Sequence, residues 1–275
     1  TLVSIKKKIR LYAENSKNID PLNIMMLLGT IQYKEKSAGY WDQPLKISDH
    51  IENKKQITET EWGNYLAGLI EGNGSISEEK IEIRLDELDV SLAYYLKKRI
   101  GYGKVIKKSN GVIYELKHLE GLKKVLELIK GKLILGDWEK KNNILNNHWL
   151  AGFGDTNGSF KILIEETKGQ LGQKNESIKL EWEIKQNEKE YLEEIKKAIG
   201  GEIKKNEEGY IYKVTTWKRV KKIIDYFDKY SLNSSKYVSY FKWRKVYRII
   251  YRKEHLTEKG WKKIKRINKN NNLRD

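Results

Sequence analysis

The chain has 275 residues, and its 55 Lys and Arg outnumber its 38 Asp and Glu, which gives a formal net charge of +17 at pH 7. A hydrophobic content of 39% is sufficient for a buried core and excludes a wholly disordered chain. The absence of Cys from the sequence excludes disulfides, thiolate metal sites and cysteine nucleophiles. The positive charge favours an extended polyanion as partner over a small neutral substrate.

Pattern and composition divide the chain into four segments. Residues 1–57 mix basic and polar stretches and predict an N-terminal extension of low order. Periodic patterns predict a first half at residues 58–136 and a second half at 148–275, which ends in a basic tail, and the aperiodic segment 137–147 predicts a linker between them. No apolar run approaches the roughly 20 residues of a membrane-spanning helix.

The two halves contain the same motif. The sequence YLAGLIEGNGSI at residues 65–76 returns as WLAGFGDTNGSF at 149–160. The similarity continues beyond the motif, so each half is predicted to run helix, strand, strand, helix, strand, strand, helix. In the second half, Phe160, Ile162 and Ile164 alternate with polar residues and predict a strand with one core face. The extra residues 166–177 predict a loop between two strands.

Small residues form a stripe on both predicted motif helices: Ala67, Gly68 and Gly72 in the first copy, and Ala151, Gly152 and Thr156 in the second. Small side chains allow two helix backbones to approach closely, so the two copies are expected to pack together on a pseudo-two-fold axis. Two basic sheets would then form a symmetric saddle. Such a saddle suits a partner that is itself two-fold symmetric, namely duplex nucleic acid.

Over residues 58–267, the paired motif resembles the LAGLIDADG family of homing endonucleases and maturases in its monomeric, two-repeat form. The resemblance implies an α+β fold of two pseudo-symmetric αββαββα repeats, whose antiparallel strands form a saddle in the DNA major groove. It implies Mg²⁺ or another divalent ion at the ends of the two central helices, and cleavage of both DNA strands.

The sequence SKYVSYFKWRKVY at residues 235–247 resembles the intron-encoded mitochondrial branch of this family. That resemblance implies a mitochondrial location. It also implies an alternative function, in which the chain is a maturase that binds group I intron RNA and assists splicing.

The eighth motif position supplies the metal-binding Asp or Glu in the family, and it is Asn73 in the first copy and Asn157 in the second. One unit charge at about 4 Å contributes roughly 4 kcal/mol at an effective dielectric near 20, so each lost carboxylate weakens metal binding by on the order of a thousandfold. The chain is therefore expected to bind DNA without efficient cleavage. Glu71 and Asp155 lie two residues away, on the opposite side of each helix, and are expected to anchor the helix ends.

Three origins of the paired asparagines remain open. They are deliberate substitution that traps uncut DNA, a natural maturase that does not cut, and a weak nuclease in which Asn is a ligand. In the third case, deamidation before glycine could also restore part of the Asp.

The resemblance assigns three further positions at the cleavage centres. Gln186 matches a polar residue that organises water near the cut, and Glu87 takes the equivalent place in the first half. Lys117, at the end of the fourth strand, matches a basic residue that stabilises charge on the phosphate. Its counterpart is Thr215, so the two centres are expected to be unequal.

DNA recognition is expected from the polar strand faces. Arg84 is a candidate for reading a guanine edge, whereas most lysines are expected to contact phosphates. The predicted DNA-binding residues are Ser77, Glu82, Arg84, Lys104, Lys107 and Lys108 in the first half, and Lys161, Glu165, Glu181, Glu183, Lys185, Lys204 and Lys205 in the second.

Overall fold

In the computed structural model, which describes residues 48–136, 143–168 and 174–271, a seven-element unit occurs twice. The first unit comprises α1 (Glu59–Asn73), β1 (Gly74–Ile76), β2 (Ile81–Leu85), α2 (Val90–Ile100), β3 (Lys104–Lys108), β4 (Gly111–Leu116) and α3 (Leu119–Ile129). The second comprises α4 (Trp149–Asn157), β5 (Gly158–Lys168), β6 (Lys174–Gln186), α5 (Lys189–Ile199), β7 (Glu202–Asn206), β8 (Gly209–Val214) and α6 (Trp217–Lys229). The predicted α+β fold of two αββαββα repeats is confirmed.

Each unit forms one four-stranded antiparallel sheet, in the order β1-β2-β4-β3 in the first and β5-β6-β8-β7 in the second. Equivalent strands share the same register, since Gly74 pairs with Ile83 in one sheet and Gly158 with Ile184 in the other. Both central helices therefore run directly into the first strand of their own sheet. Most of the predicted extension, residues 1–47, lies outside the described residues, as do residues 137–142 of the predicted linker.

Two helices follow the second unit, α7 (Lys236–Tyr251) and α8 (Glu258–Asn271), with a short 3₁₀ turn between them. Helix α7 packs into the second core, where Tyr240 and Trp243 lie beside Phe160 at ring-centroid distances of 5.3 and 5.4 Å. The described part of the predicted basic tail is thus helical. Within the described ranges, no helix is long and apolar enough to span a membrane.

The two β-hairpins that follow the central helices differ in length. The prediction of a loop at residues 166–177 is wrong at both of its ends, because β5 continues to Lys168 and β6 begins at Lys174. Strand pairing persists as far as Lys168 and Lys174, so the extra residues lengthen the hairpin. Residues 169–173 of that prediction are not described.

Local sequence signals account for where the central helices begin and end. The Thr58 hydroxyl accepts a hydrogen bond from the Glu61 backbone N–H at 3.1 Å, and the Glu61 carboxylate accepts one from the Thr58 N–H at 3.1 Å. This capping box satisfies two donors at the start of α1. At the start of α4, the Asn147 side chain accepts from the Trp149 N–H at 2.8 Å. Both helices end at a glycine with extended backbone, Gly74 or Gly158.

Candidate nucleic-acid interface

Helices α1 and α4 approach each other so closely that their glycines leave no room for a side chain. A Cβ atom on Gly68 would lie 1.9 Å from the Trp149 carbonyl oxygen, and one on Gly152 would lie 2.0 Å from the Tyr65 carbonyl oxygen. The two contacts are equivalent by the pseudo-two-fold axis. The predicted packing of the small-residue stripes is therefore confirmed.

Two reciprocal hydrogen bonds link the same pair of helices. The Tyr65 hydroxyl donates to Asp155 Oδ2 at 2.6 Å, and Trp149 Nε1 donates to Glu71 Oε2 at 2.7 Å. In both cases, the residue before the first motif leucine bonds to the acid at the sixth motif position of the opposite helix. These bonds connect one repeat directly to the other.

The two acids also hold the chain segment that follows the last helix of each unit. The Leu135 N–H donates to Glu71 Oε1 at 2.9 Å, and the Asn233 N–H donates to Asp155 Oδ2 at 2.7 Å. Asp155 accepts further bonds from the backbone and side chain of Ser234. The prediction that Glu71 and Asp155 anchor the helix ends is confirmed.

The buried site of Asp155 shifts two ionisation equilibria. Burial raises the pKa of Asp155 to about 6, although hydrogen bonds from Asn233, Ser234 and Tyr65 act in the opposite direction. Burial, together with the nearby Asp155 carboxylate, raises the pKa of Tyr65 well above its usual value. The tyrosine therefore remains a donor throughout the physiological pH range.

The ends of the two central helices meet at a cleft of about 220 Å³. Asn73, Asn157 and Gln186 line it together, so the structure brings these three predicted site residues into one place. Asn157 Nδ2 donates to the Gly72 carbonyl oxygen at 2.7 Å, and Gln186 Nε2 lies 3.2 Å from the same oxygen. The remaining lining residues are Gly72, Lys185, Asn187, Asn206, Glu208 and Tyr210.

The residues at this cleft do not fit the Mg²⁺ site that the family resemblance implies. Mg²⁺ is bound through carboxylates, whereas Asn73, Asn157 and Gln186 offer amides. Glu208 supplies one carboxylate to the lining. Throughout the part of the chain that the structure describes, no group of three or more His, Cys, Asp or Glu is arranged to hold a metal ion.

The placement of Glu87 corrects one prediction. Register makes Leu85 the counterpart of Gln186, because Ile83 and Ile184 occupy equivalent positions opposite the first residue of β1 and β5. Glu87 lies beyond the strand, in a 3₁₀ turn that spans Glu87–Asp89. The first unit has two more residues between β2 and α2 than the second has between β6 and α5. If the two halves are aligned on these helices, Glu87 falls opposite Gln186, although the strand register makes Leu85 the counterpart of Gln186.

Lys117 is not brought to the helix ends. It directly follows β4, as Thr215 follows β8, so their predicted equivalence is confirmed. However, the β4 residue level with the end of α1 is Tyr114, which pairs with Ile83. Lys117 lies three residues beyond Tyr114, or about 10 Å farther along the strand. Its ammonium group forms an ion pair with Glu115 at 3.2 Å, and its side chain is 62% exposed.

The polar face of the sheets, defined as the side opposite the helices, contains most of the predicted DNA-binding residues. Strand alternation and register place ten of them there: Glu82, Arg84, Lys104, Lys108, Lys161, Glu165, Glu181, Glu183, Lys185 and Lys204. Lys107 and Lys205 are exceptions, since they pair with Val112 and Tyr210 on the helix-side face of the edge strands. Ser77 lies in the turn between β1 and β2, where its N–H donates to the Lys80 carbonyl oxygen at 2.9 Å.

Two glutamates on the polar face are buried beneath lysines. Glu181 and Glu183 are only 5% and 3% exposed. Lys213 Nζ lies 3.2 Å from Glu181 and 2.8 Å from Glu183, and Lys161 Nζ lies 2.8 Å from Glu183. Desolvation raises the pKa of Glu183, but hydrogen bonds from Lys161 and Lys213 outweigh it, and the net shift is downward. These acids therefore hold the lysines in position.

Sequence reasoning missed two lysines of this region. Lys213 alternates in β8 with the buried Tyr212 and Val214, and that pattern would have assigned it to the polar face. Lys236 lines a second cleft, of about 310 Å³, beside Asn157 and Lys185. It reaches the cleft from the start of α7, and nothing in the repeat pattern indicates that position.

Comparison with known proteins adds relatives and structural neighbours. The family model described as LAGLIDADG endonuclease matches residues 150–247. An uncharacterised cox1 intron-2 protein of Schizosaccharomyces pombe is 38% identical over 80% of this chain and 76% of its own length. The intron-encoded DNA endonuclease ai2b of Dictyostelium discoideum is 32% identical over 64% of this chain and 74% of its own length.

Solved structures share the fold. The I-SmaMI LAGLIDADG homing endonuclease bound to cleaved DNA aligns with a TM-score of 0.61 at 22% identity, over 79% of this chain and 97% of that one. The I-GzeII homing endonuclease in complex with its DNA target aligns with a TM-score of 0.59 at 18% identity, over 76% of this chain and 97% of that one.

Two αββαββα units joined through paired glycine-containing helices define the class of two-repeat endonuclease folds. Together with the identities above, they show that this chain belongs to the LAGLIDADG endonuclease family. By family it is a nuclease, that is, a hydrolase, and its relatives are intron-encoded. Nucleases of this family depend on divalent metal ions.

Proposed function

We propose that the chain is a site-specific binder of duplex DNA, and that its polar sheet faces form the binding surface. The observation that carries the proposal is the pair of equivalent sheets, with basic residues on the side opposite the helices, joined at a pseudo-two-fold axis. The net charge of +17 supports a polyanionic partner. Structural neighbours with this fold are bound to DNA.

The polar face offers two kinds of contact. Arg84, with a side chain 61% exposed, and Lys185, also exposed, can reach base edges or phosphates. Lys161 and Lys213 rest on buried glutamates, so their ammonium groups are held in fixed positions for phosphate contact. In this proposal, Glu181 and Glu183 orient the lysines and do not contact DNA themselves.

We propose further that the chain as written binds its target without efficient cleavage. The support is chemical, since Asn73 and Asn157 stand where the family has Asp or Glu, and the described part of the cleft lacks the carboxylates that Mg²⁺ requires. The two sheets within one chain support action as a monomer, and the relative encoded in a cox1 intron supports a mitochondrial location.

The binding proposal is tested with labelled duplex libraries and group I intron RNA, side by side. Selection from a random duplex library should return one preferred sequence. Its binding constant should fall with salt by a slope of about −0.9 for each phosphate contacted. Tight RNA binding without any preferred duplex would contradict the proposal and favour the maturase function instead.

The cleavage proposal is tested by restoring both acids, as Asn73→Asp with Asn157→Asp. With Mg²⁺ present, the unchanged chain should bind the selected duplex and leave it intact, whereas the double variant should cut it. About 4 kcal/mol per carboxylate corresponds to roughly a thousandfold in ion affinity for each position.

Asn206→Asp is the matched control for this experiment, because Asn206 lines the same cleft but lies outside the motif. It adds one negative charge and should not confer cleavage. An inert double variant that still binds DNA would contradict the idea that these two carboxylates are what cleavage lacks.

A further inference from the structure

The β-hairpins of the two repeats present surfaces of very different length. Strand β1 has 3 residues and β2 has 5, whereas β5 has 11 and β6 has 13. At about 3.3 Å per residue, the second hairpin extends roughly 26 Å farther than the first. We name the outer part of this extension, residues 163–168 and 174–179, the arm.

Helix α8 holds the arm from one side. Trp261 Nε1 donates to Glu176 Oε2 at 2.7 Å, and Lys265 Nζ donates to Glu176 Oε1 at 2.7 Å. Glu176 alternates with Leu180 and Trp182, so it lies on the helix-side face of β6. An isolated two-stranded hairpin is marginally stable in water, and a helix packed on one face gives it support.

The opposite face of the arm continues the polar face of the sheet. Glu165 and Lys179 lie on it, with side chains 54% and 42% exposed, and their charged groups are 4.0 Å apart. Lys161 lies on the same face, between the arm and the centre of the sheet. Because α8 contacts the helix-side face of the arm, the polar face remains open to a duplex.

We propose that α8 holds the arm against DNA through Trp261, Lys265 and Glu176, and that the protein consequently reads an unequal target. The half-site beneath the second repeat would extend farther from the centre, by on the order of four to eight base pairs at about 3.4 Å per pair. The first hairpin, which turns back at Ser77, ends near the centre. This inference rests on the proposed binding of duplex DNA.

The reach of the two hairpins is measured with single cysteines, which are unambiguous attachment sites because the chain has no Cys. A chelated-iron probe that cleaves nearby DNA is attached at Ser77→Cys or at Glu165→Cys, and the duplex is the one selected from the library. Cuts from position 165 should fall farther from the centre of the target than cuts from position 77. Cuts at equal distances on the two sides would overturn the proposal.

The role of α8 is tested with Trp261→Phe and, separately, with Lys265→Met. Trp261→Phe keeps a six-membered aromatic ring and removes the N–H donor together with the five-membered ring of the indole. The matched control is Lys262→Met on the same helix, where the ammonium group pairs with Glu258 one turn away. Each protein is assayed against a set of duplexes with single base-pair changes along both half-sites.

A mismatch within a recognised site typically lowers affinity by about 5- to 150-fold. In the two test variants, this penalty should fall below about threefold at the outer positions of the second half-site and stay unchanged in the first half-site. The control should match the unchanged chain, and all melting temperatures should agree within a few degrees. Retained outer penalties, or an equal loss across both half-sites, would overturn the proposal. Absence of any preferred duplex for the unchanged chain would instead overturn the proposed function.

Discussion

Removal of one buried hydroxyl tests whether the reciprocal hydrogen bonds stabilise the junction between the repeats. Tyr65→Phe deletes the donor that lies 2.6 Å from Asp155 Oδ2 and keeps the ring that packs against Trp62. A hydrogen bond to a charged group contributes about 1.5–3 kcal/mol. Asp155 retains donors from Asn233 and Ser234, so no buried carboxylate oxygen loses every partner. We therefore expect the free energy of unfolding to fall by about 1.5–2 kcal/mol, the lower part of that range.

The assay is urea denaturation at pH 7.5, followed by intrinsic fluorescence. Tyr94→Phe makes the same chemical change at a residue that is 53% exposed, and it should alter the free energy of unfolding by less than about 0.5 kcal/mol. A value for Tyr65→Phe within that same limit would refute the idea that the bond between α1 and α4 stabilises the fold.

Two further predictions concern the same junction. The folded-state pKa of Asp155, about 6, lies above its ordinary value of 3.8. Between about pH 4 and pH 6 the Asp155 carboxyl is therefore protonated in the folded protein and ionised in the unfolded chain. The stabilisation that comes from this protonation is lost as pH rises through about 6. Relative to Asp155→Asn, the unchanged chain should lose on the order of 3 kcal/mol of unfolding free energy between pH 4 and pH 7, and a flat difference would contradict the burial argument. Gly68→Ala places a Cβ 1.9 Å from the Trp149 carbonyl oxygen and should cost about 3 kcal/mol or more, measured by thermal melting, whereas Gly136→Ala meets only ordinary contacts and serves as control.

The repeated motif made most of the fold predictable from sequence. A duplicated segment with small residues on one stripe allows few arrangements, and alternation with a period of two assigned the faces of β5 and β6 correctly. Strand pairing extends through residues 166–168 and 174–177, where composition favours a loop. Asn, Glu and Lys are depleted in strands, but the pairing of Thr167 with Asn175 and of Lys168 with Lys174 overrode that preference.

The misplaced site residues share a different cause. Glu87 corresponds to Gln186 only when the two halves are aligned on the helix that follows, and two additional residues before α2 leave it beyond the strand end. Lys107 and Lys205 were predicted on the polar strand faces, but register puts both on the helix-side face of edge strands. The burial of Glu183 depends on Lys161 from β5 and Lys213 from β8, and no local pattern in β6 contains that information.

The residues that hold the two repeats together differ from the two asparagines at the family's metal-ligand positions. At the sixth motif position, Glu71 and Asp155 accept hydrogen bonds across the pseudo-two-fold axis, so the junction depends on their acceptor oxygens. At the eighth position, Asn157 donates its amide hydrogen to the Gly72 carbonyl oxygen at 2.7 Å. A carboxylate in that place would bring two acceptors together, and it would need a cation or a different rotamer to relieve their repulsion. The asparagine and Gln186 both donate to this carbonyl oxygen, so the helix pair forms without a charged group at the eighth position.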